Sequence, residues 1–142
     1  MSNSRKNADV LKKIIMYCDQ IDEASVQFGN SLEKLQNNSI YRNATAMCII
    51  QIGELTTHLS EEFKAIFDEM PWQDIKRMRN IVAHRYGEFS SEILWNTITK
   101  NIPALREYCE NIIQQYEVIA QDCNEEIDYE PEEEQGRGMK ME

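Results

Sequence analysis

The stretch "RNIVAHRY", residues 79 to 86, places an arginine, a histidine and a tyrosine close together in an otherwise apolar, helical pattern. Arginine presents a permanent positive fork that matches phosphate oxygens, and histidine exchanges protons near neutral pH. Arg79 and His84 therefore suit metal-free phosphoryl transfer, in which an RNA 2′-hydroxyl attacks phosphorus, histidine moves protons and arginine stabilises the charged transition state. The structural alternative is a salt-bridging surface arginine beside a capping or packed histidine.

Helix geometry limits how these three side chains can cooperate. On a regular helix Arg79 and Tyr86 point the same way two turns apart, whereas His84 lies about 140° round from Arg79. Either the last turn before Gly87 tightens or unwinds, or a second chain completes the site. Because the reaction is best served by one base and one acid, a twofold dimer that places two copies of His84 across a cleft supplies both.

Metal ligands are sparse in the sequence. Glu54 and His58 stand four residues apart, which on one helix face is the spacing of a two-ligand site, but no third ligand is evident. We therefore interpret them as a surface pair. The four cysteines are far apart and form no C-x-x-C motif, so zinc and redox motifs are absent from the sequence. We expect neither a metal nor a cofactor.

The net charge of −10 is concentrated at one end. Residues 122–142 hold nine acids and two bases, whereas residues 1–121 hold 16 acids and 13 bases. We expect a single helical domain over 1–121 and an acidic, disordered tail over 122–142. The near-neutral body lacks a broad basic surface, so RNA contact should be local and DNA binding is not expected. Without a signal peptide or a long apolar run, we expect a cytoplasmic protein with no membrane partner.

Apolar residues recur at three- and four-residue spacings along most of the chain. This pattern predicts an all-α fold, an up-down bundle of three long helices plus at least two shorter ones. The expected helix signals are the N-caps Ser60 and Ser90, the ends at Gly29, Gly87 and about Ala120, the interruptions at Gly53 and Pro103, and Pro71 in a first turn. Gly53 either allows close helix packing or costs stability.

Other residues have competing interpretations. Gln51 and Glu54 would reach a cleft beside the motif or serve helix packing. Arg42 is a candidate RNA contact, although an exposed helix charge is the favoured interpretation. The aromatic residues at core-compatible spacings are interpreted as packing and not as base-stacking platforms. They are Trp72, Trp95 and Tyr108.

The segment "RNIVAHRY" resembles the Arg-x4-His-x-Tyr motif of the HepT-like toxins in the HEPN superfamily. The resemblance continues through "YRNATAMCIIQIGE" (41–54), "PWQDIKRMRN" (71–80) and "LWNTITKNIPALR" (94–106), and it covers roughly residues 8 to 115. It implies a HEPN-like bundle that dimerises, with both copies of the motif lining one cleft. It also implies metal-independent endoribonuclease activity that leaves a 2′,3′-cyclic phosphate.

The resemblance assigns roles by position. Arg79 and His84 match the catalytic pair, and Asn80 matches a polar position that would orient phosphate or histidine. Tyr86 matches the tyrosine that a minimal nucleotidyltransferase antitoxin modifies with AMP, and the added charge and bulk would block RNA. The implied partners are RNA, a second copy and the cognate antitoxin. The competing hypothesis is a non-catalytic helical partner that binds a nucleotidyltransferase and positions a nucleotide through Arg79.

Overall fold

The computed structural model describes the backbone of residues 2–85 and 90–129, and the side chains within 5–85 and 90–119. All the regular elements in these ranges are helical, which confirms the predicted all-α fold. In chain order they are α1 (Ser2–Phe28), α2 (Leu32–Asn37), α3 (Ser39–Thr56), α4 (Glu61–Ile66), α5 (Trp72–Arg85), α6 (Ser91–Asn96), a π-helical stretch (Thr97–Asn101) and α7 (Ile102–Tyr129). Across these described ranges, no helix is both long enough and apolar enough to cross a bilayer.

Short polar side chains and one glycine set several of the helix ends. The Ser60 hydroxyl accepts a hydrogen bond from the Phe63 amide at 3.1 Å, and the Ser90 hydroxyl accepts one from the Glu92 amide at 3.1 Å. Each bond satisfies an amide that has no partner within its own helix. Gly29 follows α1 with a φ of 116°, a conformation that disfavours side chains. The two caps and the end of α1 confirm the sequence predictions.

The two prolines that the sequence singled out lie where the regular α-helix begins or is disturbed. Pro71 immediately precedes α5, and its carbonyl accepts hydrogen bonds from the Asp74 and Ile75 amides, so it caps the helix and does not lie inside its first turn. Pro103 has no N–H to offer to the preceding turn. Just before it the helix widens, and the Ile102 amide bonds to the Thr97 carbonyl five residues back. The predicted break near Pro103 is therefore a π-helical turn.

The last helix is longer than the sequence pattern indicated. α7 continues to Tyr129, so the predicted end near Ala120 was wrong. The sequence contains no glycine or proline between Pro103 and Pro131, and residues such as Gln and Glu sustain a helix without an apolar stripe. The division into a domain (1–121) and an acidic tail stays a prediction, because residues 130–142 lie outside the described residues.

The core lies where α3 packs between α1 and α5, and α7 packs against α1. Tyr41 at the start of α3 is fully buried, and its hydroxyl is 2.8 Å from that of Ser25 on α1. The apolar side chains that are at most 1% exposed are Leu11, Ile14, Cys18, Ile21, Leu35, Tyr41, Ile52, Val82, Leu94 and Cys109. Because α3 contacts both neighbours, its last turns are held firmly against α5, the helix that carries the motif.

The aromatic side chains serve packing, as the sequence predicted. Trp72 is buried, and its indole N–H donates to the Phe67 carbonyl at 2.9 Å. Its ring meets that of Tyr108 edge-on, with centroids 6.2 Å apart. Trp95 packs against the same core. Trp72 and Tyr108 pack together at the start of α5, and all three rings contribute to packing.

Candidate active site

α5 carries both candidate catalytic side chains on one uninterrupted α-helix. Trp72 and Val82 bury one side of this helix, Arg79 lies partly buried beside α3, and His84 is exposed in the last described turn. The helix remains α-helical through Arg85, so the described turns show no unwinding that would carry His84 toward Arg79. The two side chains therefore diverge by about 140° and lie about 7.5 Å apart along the axis.

Gly53 brings α3 into direct contact with the stem of Arg79. A Cβ built on Gly53 would lie 2.2 Å from the Arg79 Cβ and 2.5 Å from its Cγ, far inside normal contact distance. Only glycine allows this approach without movement of a helix. Of the two interpretations of Gly53, close helix packing is the correct one. The first methylene groups of Arg79 consequently lie against the α3 backbone.

Two oxygen acceptors hold the guanidinium of Arg79. Its Nη2 donates to Oε2 of Glu54 in an ion pair, and its Nη1 donates to Oδ1 of Asn80 at 2.6 Å. The Arg79 side chain is 23% exposed and that of Glu54 is 46% exposed. Each terminal nitrogen carries two N–H groups, so one on each remains for a ligand after these two bonds. The arrangement is a fixed cation with part of its donor set unused.

The third nitrogen of the Arg79 guanidinium, Nε, lacks a hydrogen-bond acceptor among the described residues. This nitrogen is buried. A buried unpaired donor is unfavourable, so the contacts at the two ends of the guanidinium and the packing of its stem must outweigh this cost. The side chain is therefore held by its surroundings in one place and does not simply extend into water.

Asn80 contacts Arg79, whereas His84 stands apart from both. The carboxamide oxygen of Asn80 accepts from Arg79, so in this structure it orients the arginine and not a histidine. The imidazole of His84 makes no side-chain hydrogen bond with the residues that the structure describes, and the side chain is exposed. Tyr86, together with the predicted helix end at Gly87, lies outside the described residues. The structure thus brings Arg79 and Asn80 together and leaves His84 separate from them.

For Glu54 the sequence left two interpretations open, a position beside the motif or helix packing, and the structure places its carboxylate on the Arg79 guanidinium. Its signal was present in "QIGE", where a glycine and an acid follow each other near the end of a helix. The proposed pairing with His58 on one helix face was wrong, because α3 ends at Thr56 and His58 lies in the following turn. Within the described part of the chain, no group of three or more His, Cys, Asp or Glu side chains is placed to hold a metal ion.

The structure constrains two other kinds of group. Arg42 donates from Nη1 to the carbonyls of Leu35 and Gln36, so it closes the end of α2 and is not simply an exposed helix charge, while its contact with RNA stays a prediction. Burial raises the pKa of the Cys18 and Cys109 thiols from 9.0 to about 12. Such thiols stay protonated near neutral pH and do not act as nucleophiles.

Comparison with known proteins assigns the chain to a family. The family model described as "Ribonuclease HepT-like" matches residues 14–112, well over half of the chain. The chain therefore belongs to the HepT-like family.

Individual relatives agree with this assignment. A protein of Caldanaerobacter subterraneus subsp. tengcongensis named "Putative RNase TTE0752" is 30% identical over 104 residues, covering 73% of this chain and 91% of the relative. The "Probable ribonuclease HepT" of Thermococcus cleftensis is 34% identical over 55 residues, 39% of this chain and 50% of the relative. "Putative RNase MJ1216" of Methanocaldococcus jannaschii is 25% identical over 109 residues, 75% of this chain and 87% of the relative. No solved structure shows significant similarity to this chain.

Proposed function

We propose that this protein is a metal-independent endoribonuclease that leaves a 2′,3′-cyclic phosphate. The observation that carries the proposal is that α5 holds both an anchored guanidinium with unused donors and an exposed histidine. These are the two groups that cleavage by the RNA's own 2′-hydroxyl requires. The names of the relatives support RNA as the substrate.

The reaction assigns a distinct task to each group. The 2′-oxygen attacks the adjacent phosphorus and loses its proton to a histidine, and a P–O bond forms. The bond from phosphorus to the 5′-oxygen then breaks, and that oxygen takes a proton from a second histidine. The N–H groups of Arg79 that remain free bind the phosphate oxygens and stabilise the extra negative charge that develops on them.

The geometry of α5 favours a site built from two copies of the chain. Within one copy, Arg79 and His84 diverge by about 140° on a regular helix, so they do not converge on one phosphate. A twofold dimer would bring two copies of His84 to one cleft and supply both proton-transfer groups. The dimer is therefore part of the proposal.

The regulatory part of the proposal rests on the motif. We place the protein as the toxin of a two-gene module whose antitoxin is a minimal nucleotidyltransferase. That partner would transfer AMP to Tyr86, adding a negatively charged and bulky group two residues after His84 in the sequence. Phosphate on the enzyme would then compete with RNA phosphate for the same cation.

The test is RNA cleavage by the purified protein in excess EDTA, with mass spectrometry of the product ends and of Tyr86. His84→Ala should abolish cleavage. His58→Ala is a matched control, because His58 is the only other histidine in the sequence and is also exposed. Cyclic-phosphate ends that disappear only in the His84 variant are expected. Loss of activity in EDTA that a divalent ion restores would refute the metal-free mechanism.

A negative result also has a defined meaning. If wild-type protein with unmodified Tyr86 does not cleave RNA, the ribonuclease proposal fails, and the non-catalytic partner of a nucleotidyltransferase becomes the better account. Expression of the chain alone then separates the two cases in cells. Growth arrest that His84→Ala relieves supports the toxin, whereas equal growth with and without the chain supports the binding partner.

A further inference from the structure

We propose that Glu54 is a positioning residue that holds the Arg79 guanidinium where the RNA phosphate binds. This inference rests on the proposed function and adds to it a group from a different helix. The carboxylate of Glu54 accepts from Nη2 of Arg79, while Asn80 accepts from Nη1 at the other end. The two acceptors hold the two terminal nitrogens of the planar group and so fix its rotation.

An arginine in this role needs such support because its side chain is long. Four rotatable bonds separate the guanidinium from the backbone, and without fixed contacts the charge would sample many positions. Gly53 removes the freedom of the stem, since the Arg79 Cβ and Cγ lie against the α3 backbone. Glu54, the next residue, removes the freedom of the head. Consecutive residues of α3 therefore fix both parts of one catalytic side chain.

The Glu54 pair differs from an ordinary surface salt bridge on the same helix. Arg77 and Asp74 also pair on α5, at 2.6 Å, but their side chains are 67% and 62% exposed and contact water on most sides. Arg79 is only 23% exposed, and its Nε is buried without a partner among the described residues. If the carboxylate of Glu54 is removed, a mostly buried cation loses an acceptor. The guanidinium then gains by moving out toward water, away from the position that Gly53 and Glu54 set.

In this proposal Glu54 takes no part in proton transfer. A glutamine at this position would keep an oxygen that accepts from Nη2 but would not take up a proton during catalysis. Substitution by glutamine therefore separates a positioning role from a general-base role. A positioning residue tolerates this substitution, whereas a general base does not.

The kinetic test uses the RNA and the EDTA buffer of the cleavage assay above. Glu54→Ala should lower kcat roughly 10- to 100-fold with little change in KM, because misplacing a catalytic group by about 1 Å costs up to about 100-fold. Glu54→Gln should keep kcat within about threefold of the wild type. Asp74→Ala, the matched control that breaks the exposed pair on the same helix, should leave both constants unchanged.

A spectroscopic readout makes the test independent of activity. In the wild type the buried Nε–H of Arg79 should give its own slowly exchanging signal in a nitrogen–proton NMR spectrum. Glu54→Ala should shift this signal toward that of exposed arginines and speed its exchange, and Glu54→Gln should preserve it. These signals remain measurable even if the protein cleaves no RNA.

Each outcome decides the proposal. A Glu54→Ala variant with wild-type kcat and an unchanged Arg79 signal would overturn it. Increased kcat in that variant would also overturn it, because the pair would then restrain Arg79 and not position it. Loss of kcat in Glu54→Gln equal to that in Glu54→Ala would identify Glu54 as a proton acceptor instead. Absence of cleavage by the wild type, with the NMR signals as expected, would count against the ribonuclease proposal and not against the positioning contact.

Discussion

The contact between Gly53 and Arg79 leads to the sharpest prediction about this site. In Gly53→Ala the new methyl carbon would lie 2.2 Å from the Arg79 Cβ. Normal contact between such carbons is about 3.5–4 Å, so α3 and α5 must separate locally by about 1 Å or more. The Arg79 Cβ is close to the backbone and has little freedom to move alone. The displacement therefore passes to α5, which carries Arg79 and His84.

The effects on stability and on activity should be very different in size. Alanine favours a helix over glycine by about 1 kcal/mol, while overpacking costs about 1–3 kcal/mol, so the net loss of stability is about 0–2 kcal/mol. A domain with ordinary stability of about 5–15 kcal/mol remains folded after such a loss. A displacement of about 1 Å at a catalytic group costs up to about 100-fold in rate. Gly53→Ala should thus be a folded protein with severely reduced cleavage.

Urea unfolding and RNA cleavage, measured on the same preparations, test this prediction. Cys109→Met serves as the control, because it overpacks the buried side of α7 against α1 and should cost similar stability without moving Arg79. We expect the two variants to unfold at similar urea concentrations and only Gly53→Ala to lose activity. Wild-type activity in a folded Gly53→Ala protein would show that the exact position of α5 against α3 does not matter.

Three further predictions concern stability. His84→Ala should change the free energy of unfolding by less than about 0.5 kcal/mol in urea titrations, because His84 is exposed, and a larger loss would mean that the residue is structural. Asn7→Ala should lower it by about 1–3 kcal/mol in the same assay, because buried Asn7 exchanges two hydrogen bonds with Ser60; an unchanged midpoint would contradict this. Burial raises the folded-state pKa values of the Cys18 and Cys109 thiols from 9.0 to about 12. Their contribution to the free energy of unfolding is therefore complete below pH 9 and is lost as the pH rises toward 12. The stability difference between wild type and a Cys18→Ala/Cys109→Ala double variant should narrow by about 2 kcal/mol between pH 9 and pH 10, and a constant difference would refute the burial effect.

Local sequence signals predicted the fold well where they act over one helical turn. The caps at Ser60 and Ser90 and the end at Gly29 depend on neighbouring atoms, and each was confirmed. The end of α7 was missed because no local residue terminates it near Ala120. An apolar stripe indicates which part of a helix is buried, and a helix does not need burial along its whole length.

The site was only partly predictable, for a related reason. The chemistry of Arg79 and His84 marks them in the sequence, and their five-residue separation is enough to predict that they diverge on a regular helix. The contacts of Arg79 with Gly53 and Glu54 join residues 26 and 25 positions apart and depend on how two helices pack. The periodicity of one helix cannot predict how α3 and α5 are aligned along each other. The close approach at Gly53 fixes this alignment.

The most direct test of the mechanism changes the substrate and leaves the protein unaltered. A short RNA that the protein cleaves would be prepared with a single 2′-deoxy nucleotide on the 5′ side of the cleaved bond, and its cleavage would be compared with that of the unmodified RNA in EDTA. If the RNA's own 2′-hydroxyl is the nucleophile, cleavage at that bond should vanish while binding is retained, and the unmodified RNA should end in a 2′,3′-cyclic phosphate. Equal cleavage of the deoxy-substituted strand would mean that water or another group attacks the phosphate, and the proposed roles of Arg79 and His84 would have to be abandoned.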